Sequence, residues 1–278
     1  MENIKKERVL KITANKKIQY MDGLRLSRAI TSGIRYLTSR QDYLNKINVF
    51  PVPDGDTGTN MAFTMNSVLE ACTEQIEPNV DIFIKAISES AIDGARGNSG
   101  VLIAQYFVGF AEACEGVDKL DCHILSKAFK NGALSARDAM EDPKEGTILT
   151  VFQDLSDKIS SCVDEGIEDI YELMKIGYKA ACNSLEETPQ KLKILKKAGV
   201  VDAGAQGFVD FLTGMMNFMK DGSLKDLDID NLNINQPKVA SEGHHYEEEI
   251  DINYRYCTEC RIKGSNIDKK DLRNKLKK

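Results

Sequence analysis

Apolar residues recur with helical spacing along most of this 278-residue chain, and this periodicity constrains the fold more strongly than any other feature of the sequence. No convincing run of alternating apolar and polar residues, the pattern of a half-buried strand, interrupts it before residue 220. The Thr188-Pro189 pair is typical of a helix start and Gly199 of a helix end. The sequence therefore predicts an all-α fold, a bundle of about eight or nine helices connected by short loops. The predicted helices span residues 26–37, 61–72, 83–91, 101–113, 121–140, 147–163, 169–186, 189–199 and 208–219.

The composition of the chain changes after residue 220. Over residues 221–251 nine acidic residues face only two lysines, and such a polar, acidic composition is typical of a linker. A short strand-like pattern follows over 250–262, and the chain then becomes rich in lysine. So few residues cannot build a core alone. We expect a main domain at 1–220, an acidic linker at 221–250, and the truncated beginning of a second domain at 251–278.

Composition and charge exclude several classes of protein. The formal charge of −6 and the pI near 5.3 give no bulk attraction to nucleic acid or to an anionic membrane. No apolar stretch has the length of a transmembrane segment or follows the basic N-terminus as in a signal peptide. Seven cysteines are present, and those within apolar helical patterns are typical of reduced, buried thiols. We therefore expect a cytoplasmic protein without disulfides, nucleic-acid partners or membrane spans.

Residues 47–61 form the most distinctive local stretch. Two prolines and two glycines lie between residues 51 and 58, and together they favour a loop with a single shape. Asp54 and Asp56 are two residues apart within it, so a loop that keeps them on one side offers paired oxygen ligands to magnesium. The alternative interpretation is a plain Pro-Asp-Gly turn that ends in a threonine N-cap.

Three glycine-containing loops precede predicted helices, at residues 54–60, 94–100 and 202–207. A helix start offers free N–H groups and a partial positive charge to an anion. If the bundle brings these starts to one end, they form a shared anion site. The sequence contains neither the P-loop nor the Rossmann glycine pattern, so a nucleotide site would be of another kind.

The second of these loops carries polar side chains suited to phosphate. Asn98 and Ser99 could donate hydrogen bonds to phosphate oxygens, and Arg96 could neutralise charge on a transferring phosphoryl group. The alternative is a helix-capping turn with an exposed arginine. Thr147 is open to the same two interpretations.

Zinc-type ligands occur near the end of the sequence. Cys257 and Cys260 form a CxxC pair, and His244 and His245 precede them. A lone CxxC is weak support for a structural zinc site, which needs four ligands. The alternative is a pair of solvated histidines in an acidic linker.

Four linked segments together resemble the kinase subunits of bacterial fatty acid kinases, a family related to the nucleotide-binding subunit of dihydroxyacetone kinase. The resemblance covers about residues 18–220 and is specific because the motifs occur in the same order. It implies a barrel-like bundle of about eight antiparallel helices that binds ATP or ADP with two magnesium ions at one end. The segments are Asn48–Met61, Gly94–Gly100, Glu145–Thr150 and Ala198–Gly204.

The resemblance also implies roles for individual residues. Asp54 and Asp56 would be magnesium ligands and, with Arg96, catalytic residues. Asn48 takes the place of a third aspartate found in the dihydroxyacetone branch, and Thr57 takes the place of a histidine. The implied nucleotide-binding residues are Thr57, Gly58, Thr59, Asn60, Asn98, Ser99, Gly100, Thr147, Ile148, Asp202, Ala203 and Gly204.

The implied reaction is ATP- and magnesium-dependent phosphoryl transfer to the carboxylate of a fatty acid. A separate fatty-acid-binding protein presents that substrate, and the product is an acyl phosphate for phospholipid synthesis. A carboxylate is already ionised near neutral pH, so no general base is required. Family members continue beyond residue 278 and bind a metal near the cysteine that matches Cys257; the resemblance allows a homodimer of that longer chain. We expect residues 1–278 alone to bind nucleotide but to turn over the lipid-loaded partner poorly.

Two alternatives stay open at this point. The first is a kinase for a small hydroxylated metabolite, as in the dihydroxyacetone branch. The second is a catalytically silent nucleotide-binding module that regulates a partner.

Overall fold

The computed structural model describes residues 17–74 and 77–221, together with positions 267, 268, 271, 272 and 275. Its described residues contain ten named helices and no β-strand, so the all-α prediction is confirmed. The helices are α1 Gly23–Ser39, α2 Gln41–Lys46, α3 Thr57–Glu74, α4 Val80–Asp93, α5 Gly97–Ala113, α6 Cys122–Ala139, α7 Ile148–Asp164, α8 Ile170–Lys191, α9 Lys193–Ala198 and α10 Ala203–Asp221.

The eight long helices close into a ring. Each packs against the next along the chain, in the order α1, α3, α4, α5, α6, α7, α8 and α10, and α10 packs against α1. Short connections make neighbouring helices antiparallel. The predicted barrel-like bundle of about eight antiparallel helices is therefore confirmed, with two additional six-residue helices, α2 and α9.

Aromatic side chains fill the middle of the ring. Tyr106 on α5 lies 4.3 Å from Phe152 on α7, centroid to centroid, and Phe152 lies 4.6 Å from Phe208 on α10. These rings come from three different walls of the barrel, and each is almost fully buried. Burial of such large apolar groups is the main term that stabilises the bundle.

Glycine lets the first and last long helices meet closely. A Cβ added at Gly214 of α10 would lie 2.4 Å from the carbonyl oxygen of Ser32 on α1. The Ser32 hydroxyl donates a 2.8 Å hydrogen bond to the Gly214 carbonyl oxygen across the same contact. The ring closes at this point because neither backbone is held away by a side chain.

The predicted helix start at Thr188-Pro189 is wrong. Helix α8 continues through Pro189 to Lys191, and α9 begins only at Lys193. Proline has no N–H to donate to the carbonyl oxygen four residues earlier, but the Thr188 hydroxyl donates a 2.7 Å hydrogen bond to that oxygen, on Leu185. The predicted helix end at Gly199 is confirmed, since Gly199 is the left-handed C-cap of α9.

Several predictions fall outside the described residues. These are the acidic linker at 221–250, most of 251–278 and the zinc-type ligands His244, His245, Cys257 and Cys260. The proposed domain boundaries stay predictions. The five described cysteines are free thiols, and none of the described helices is long and apolar enough to cross a membrane.

Candidate active site

The short helix α2 fixes the start of α3. The Asn45 side chain accepts a 3.0 Å hydrogen bond from the Thr59 N–H and donates one of 3.0 Å to the Thr59 hydroxyl. A Cβ at Gly58 would lie 2.2 Å from the carbonyl oxygen of Gln41, so glycine is needed for this close approach. The polar groups of Thr59 therefore face α2, and the absence of a side chain at Gly58 lets α3 pack closely against α2.

Two amide side chains orient the two carboxylates of the preceding loop. The Asn48 Nδ2 donates a 2.7 Å hydrogen bond to Oδ1 of Asp54, and the Asn60 Nδ2 donates one of 2.8 Å to Oδ2 of Asp56. The pKa of Asp54 is raised, mainly by burial and then by its hydrogen bond with Asp56 and the charge of that neighbour. The two carboxylates are thus close enough to repel each other, and a cation between them would relieve that repulsion.

The side-chain oxygen of Asn48 indicates whether a metal ion would fit beside these carboxylates. Its side chain is 5% exposed, and its Oδ1 is a buried acceptor without a hydrogen-bond partner. A buried unpaired acceptor is costly, and a carboxamide oxygen is a normal magnesium ligand. The described residues hold no cluster of three or more His, Cys, Asp or Glu side chains suited to a metal. Asp54 and Asp56 fit magnesium with Asn48, phosphate oxygens and water as the remaining donors.

The start of α5 packs directly on the first turns of α3. The Arg96 N–H donates a 3.1 Å hydrogen bond to Oγ1 of Thr64, and a Cβ at Gly100 would lie 2.3 Å from the same oxygen. The Arg96 guanidinium lies 4.8 Å from the ring centroid of Phe63 and donates a hydrogen bond to the Ala95 carbonyl oxygen. Arg96 is therefore placed on the rim between α3 and α5.

Asp202 joins the starts of α7 and α10. Its Oδ2 accepts a 3.1 Å hydrogen bond from the Ile148 N–H and a 2.8 Å one from the Ala205 N–H. Its own N–H donates a hydrogen bond to the hydroxyl of Thr188. The same hydroxyl donates to the Leu185 carbonyl oxygen, for which Pro189 has no N–H to offer. Burial raises the pKa of Asp202 to about 6, while the two backbone N–H groups lower it.

One pocket of about 230 Å³ lies where the starts of α5, α7 and α10 meet. Gly204 lies in its wall without a side chain, and a Cβ there would lie 3.4 Å from both Ser99 Oγ and Asp202 Oδ2. Phe50 and Pro51 also line it, so the pocket adjoins the loop that carries the two carboxylates. The sequence-predicted residues in its wall are Asn98, Ser99, Thr147, Ile148, Asp202 and Gly204.

The pocket also contains residues that the sequence did not single out. Phe50 and Pro51 belong to the distinctive loop but carry no charge or metal ligand, which is why they gave no signal. The others lie in the irregular connection between α6 and α7 or on the apolar faces of helices. These lining residues are Leu102, Met140, Asp142, Lys144 and Leu149.

Comparison with known proteins agrees with this architecture. The DAK2 domain family model matches residues 51–217. An uncharacterized protein of Staphylococcus saprophyticus is 35% identical over 92% of this chain and 47% of its own length. An uncharacterized protein of Staphylococcus aureus strain USA300 is 34% identical over 93% and 48%, respectively. The chain thus spans about half the length of the curated relatives it matches.

Two solved structures share the fold. The native dihydroxyacetone kinase of C. freundii superimposes with a TM-score of 0.55 at 20% identity, over 69% of this chain and 34% of that one. The same enzyme in complex with AMP-PNP and Mg²⁺ gives 0.53 at 19% identity, over 69% and 33%. The family match covers the ring from the carboxylate loop to α10. The chain therefore belongs to the DAK2 domain family.

Proposed function

We propose that this chain is the ATP-binding part of a kinase that phosphorylates the carboxylate of a fatty acid presented by a separate fatty-acid-binding protein. The observation that carries the nucleotide-binding part is the pair Asp54 and Asp56, each held by an amide side chain, beside a pocket walled by three helix starts. The chain also shares its fold with a kinase whose structure holds AMP-PNP and Mg²⁺, which supports the same function.

The two ends of the proposed site differ in chemistry. Asp54, Asp56 and the buried oxygen of Asn48 are oxygen donors, and they would hold magnesium against the phosphate chain. Bound magnesium would neutralise phosphate charge as the phosphoryl group leaves. Asn98 and Ser99 line the pocket at the α5 start and would align the phosphates by hydrogen bonds.

The far end of the pocket suits the uncharged part of a nucleotide. Apart from Phe50 and Pro51 of the carboxylate loop, the apolar lining includes Leu102, Met140 and Leu149. The N–H groups of Ile148 and Ala205 are already occupied by Asp202, so this wall has less to offer a phosphate. We infer that the base and sugar lie here and the phosphates lie towards Asp54.

The resemblance described above favours a carboxylate acceptor, and one residue gives it a chemical reason. Thr57 begins α3 directly after Asp56, and a threonine hydroxyl is not a base at neutral pH. An alcohol acceptor must lose a proton when it is phosphorylated, whereas a fatty acid is already ionised. The site can then act by alignment and charge neutralisation alone.

The experiment compares acceptors and a site variant. ATP consumption is measured with oleate bound to a bacterial fatty-acid-binding protein and, separately, with dihydroxyacetone. We expect consumption with oleate only, weaker for residues 1–278 than for a chain that extends further, and its loss in Asp54→Ala. Full activity of Asp54→Ala would refute the magnesium assignment.

The similarity to dihydroxyacetone kinase favours a small hydroxylated metabolite as the second candidate acceptor. Consumption with dihydroxyacetone and none with oleate would establish that alternative. Magnesium-dependent nucleotide binding without consumption by the longer chain and either acceptor would instead indicate a regulatory module.

A further inference from the structure

Asp202 occupies an unusual place in the wall of the pocket. Its side chain is 5% exposed, yet it lines the cavity together with Ile148 and Gly204. One oxygen, Oδ2, accepts N–H groups from two helices whose first residues are 55 positions apart, Ile148 and Ala203. A single carboxylate therefore caps its own helix and a neighbouring one.

This shared cap changes what the two helix starts can bind. A carboxylate at a helix start is stabilised by the N–H groups and by the partial positive charge of the helix. Asp202 already accepts hydrogen bonds from N–H groups at the starts of both α7 and α10. The start of α5 differs, because its N-cap residue Arg96 makes no side-chain capping hydrogen bond. The pocket thus has one wall whose helix-start N–H groups are already hydrogen-bonded to Asp202 and one, at the α5 start, that has no side-chain cap.

The width of the pocket depends on the same carboxylate. Gly204 follows Asp202 by two residues, and a Cβ there would lie 3.4 Å from Asp202 Oδ2, 3.4 Å from Ser99 Oγ and 3.6 Å from the Ile148 Cβ. These atoms belong to α10, α5 and α7 or their caps. If the cap were lost, the α7 and α10 starts would lose the link that holds them at this spacing.

We propose that Asp202 is a positioning residue that holds the starts of α7 and α10 as the nucleoside-binding wall and directs the phosphates to the α3 and α5 side. This proposal rests on the proposed nucleotide site. It assigns Asp202 no contact with the transferring group. Its effect must therefore appear in the binding of the nucleoside part and not in the binding of the phosphate chain alone.

The test compares two ligands that share the phosphate chain. Affinities for magnesium AMP-PNP and for magnesium tripolyphosphate are measured by calorimetry on wild type, Asp202→Ala and Asp202→Asn. We expect Asp202→Ala to weaken AMP-PNP binding about tenfold and to leave tripolyphosphate within about twofold. Asp202→Asn keeps an oxygen that accepts both N–H groups, so it should bind both ligands nearly as wild type does.

Asp169→Ala is the matched control, because Asp169 caps the start of α8 with two hydrogen bonds, to the N–H groups of Tyr171 and Glu172. That start lies at the end of the barrel opposite the pocket, so its loss should lower the melting temperature and leave both affinities unchanged. If Asp202→Ala does not fold, Asp202→Ser replaces it: serine still caps α10 but is too short to reach Ile148, and the same split is expected.

Three results would overturn the proposal. The first is an equal loss of affinity for both ligands in Asp202→Ala, and the second is an unchanged affinity of Asp202→Ala for AMP-PNP. The third is a loss of AMP-PNP affinity in Asp202→Asn as large as in Asp202→Ala. A wild-type chain that binds neither ligand would instead refute the nucleotide site itself, and the proposal with it. The failure of the positioning role is thus distinct from the failure of the proposed function.

Discussion

Replacing Gly97 by alanine should disturb the fold and the proposed magnesium site together. Gly97 begins α5 with a φ of 59°, and a residue with a Cβ costs about 1–2 kcal/mol in that left-handed conformation. The Cβ would also lie 2.5 Å from Nδ2 of Asn60. Because that amide donates its hydrogen bond to Oδ2 of Asp56, Asn60 can move away only by releasing the carboxylate.

Gly116 is a control position with a similar left-handed backbone conformation, where an added Cβ would contact no other residue. Its φ is 73°, and a Cβ there meets no heavy atom within 4 Å. Gly116→Ala should therefore lose only the backbone term of about 1–2 kcal/mol, a fall in melting temperature of about 2–8 °C for a domain of this size. Gly97→Ala should lose about 2–4 kcal/mol, since a hydrogen bond to a charged group is lost as well.

Chemical denaturation and magnesium titration in the presence of ADP measure the two effects. We expect Gly97→Ala to bind magnesium-ADP at least about fivefold more weakly, a difference of roughly 1 kcal/mol, and Gly116→Ala to bind as wild type does. The double variant Gly97→Ala/Asn60→Ala removes the collision and should regain part of the stability but none of the affinity. Equal destabilisation of the two glycine variants, with unchanged magnesium-ADP affinity, would refute this reasoning.

Three further predictions concern single positions. Gly204→Ala should leave the fold as stable as wild type or up to about 1 kcal/mol more stable, as measured by denaturation. It should weaken nucleotide binding about tenfold, as measured by calorimetry, because the methyl group enters the pocket. Gly214→Ala should cost about 1–3 kcal/mol in denaturation, because its Cβ meets the Ser32 carbonyl oxygen at 2.4 Å. Burial raises the pKa of Asp202 from 3.8 to about 6, so its contribution to stability is complete below pH 4 and lost as the pH rises through 6. The ligand-free Asp202→Asn protein should therefore gain up to about 3 kcal/mol over wild type between pH 4 and 7.5, and a pH-independent difference would contradict this.

The long helices could be predicted from the sequence because each buries one apolar face against the same core. Their spacing of 3.6 residues is visible in a single chain, and four of the eight long helices also begin after a side-chain N-cap, Asp22, Asn79, Asp121 or Asp169. Helix α2 escaped prediction because Leu44 is its one buried residue, so its sequence shows no apolar face. Yet α2 decides the role of Thr59, whose hydroxyl and N–H both bond to Asn45.

Local signals failed where a side-chain hydrogen bond or an irregular connection decided the outcome. Thr188-Pro189 has the composition of a helix start, but the Thr188 hydroxyl replaces the missing proline N–H and lets α8 continue. The capping of α7 by Asp202 joins residues 54 apart in sequence, and no pattern around Ile148 indicates it. Met140 and Lys144 line the pocket from an irregular connection, where neither periodicity nor a motif exists to be recognised.

Several helix starts in one region would suggest strong phosphate binding by backbone N–H groups, as the sequence indicated for three of them. The structure changes that expectation, because many of these groups are already used. Asn45 takes the Thr59 N–H of α3, and Asp202 takes the N–H groups of Ile148 and Ala205. In the proposed site, the α5 start and a cation held by Asp54 and Asp56 must then supply most of the attraction for phosphate. Nucleotide affinity should accordingly depend on magnesium far more steeply than in a site built from a glycine-rich anion cradle.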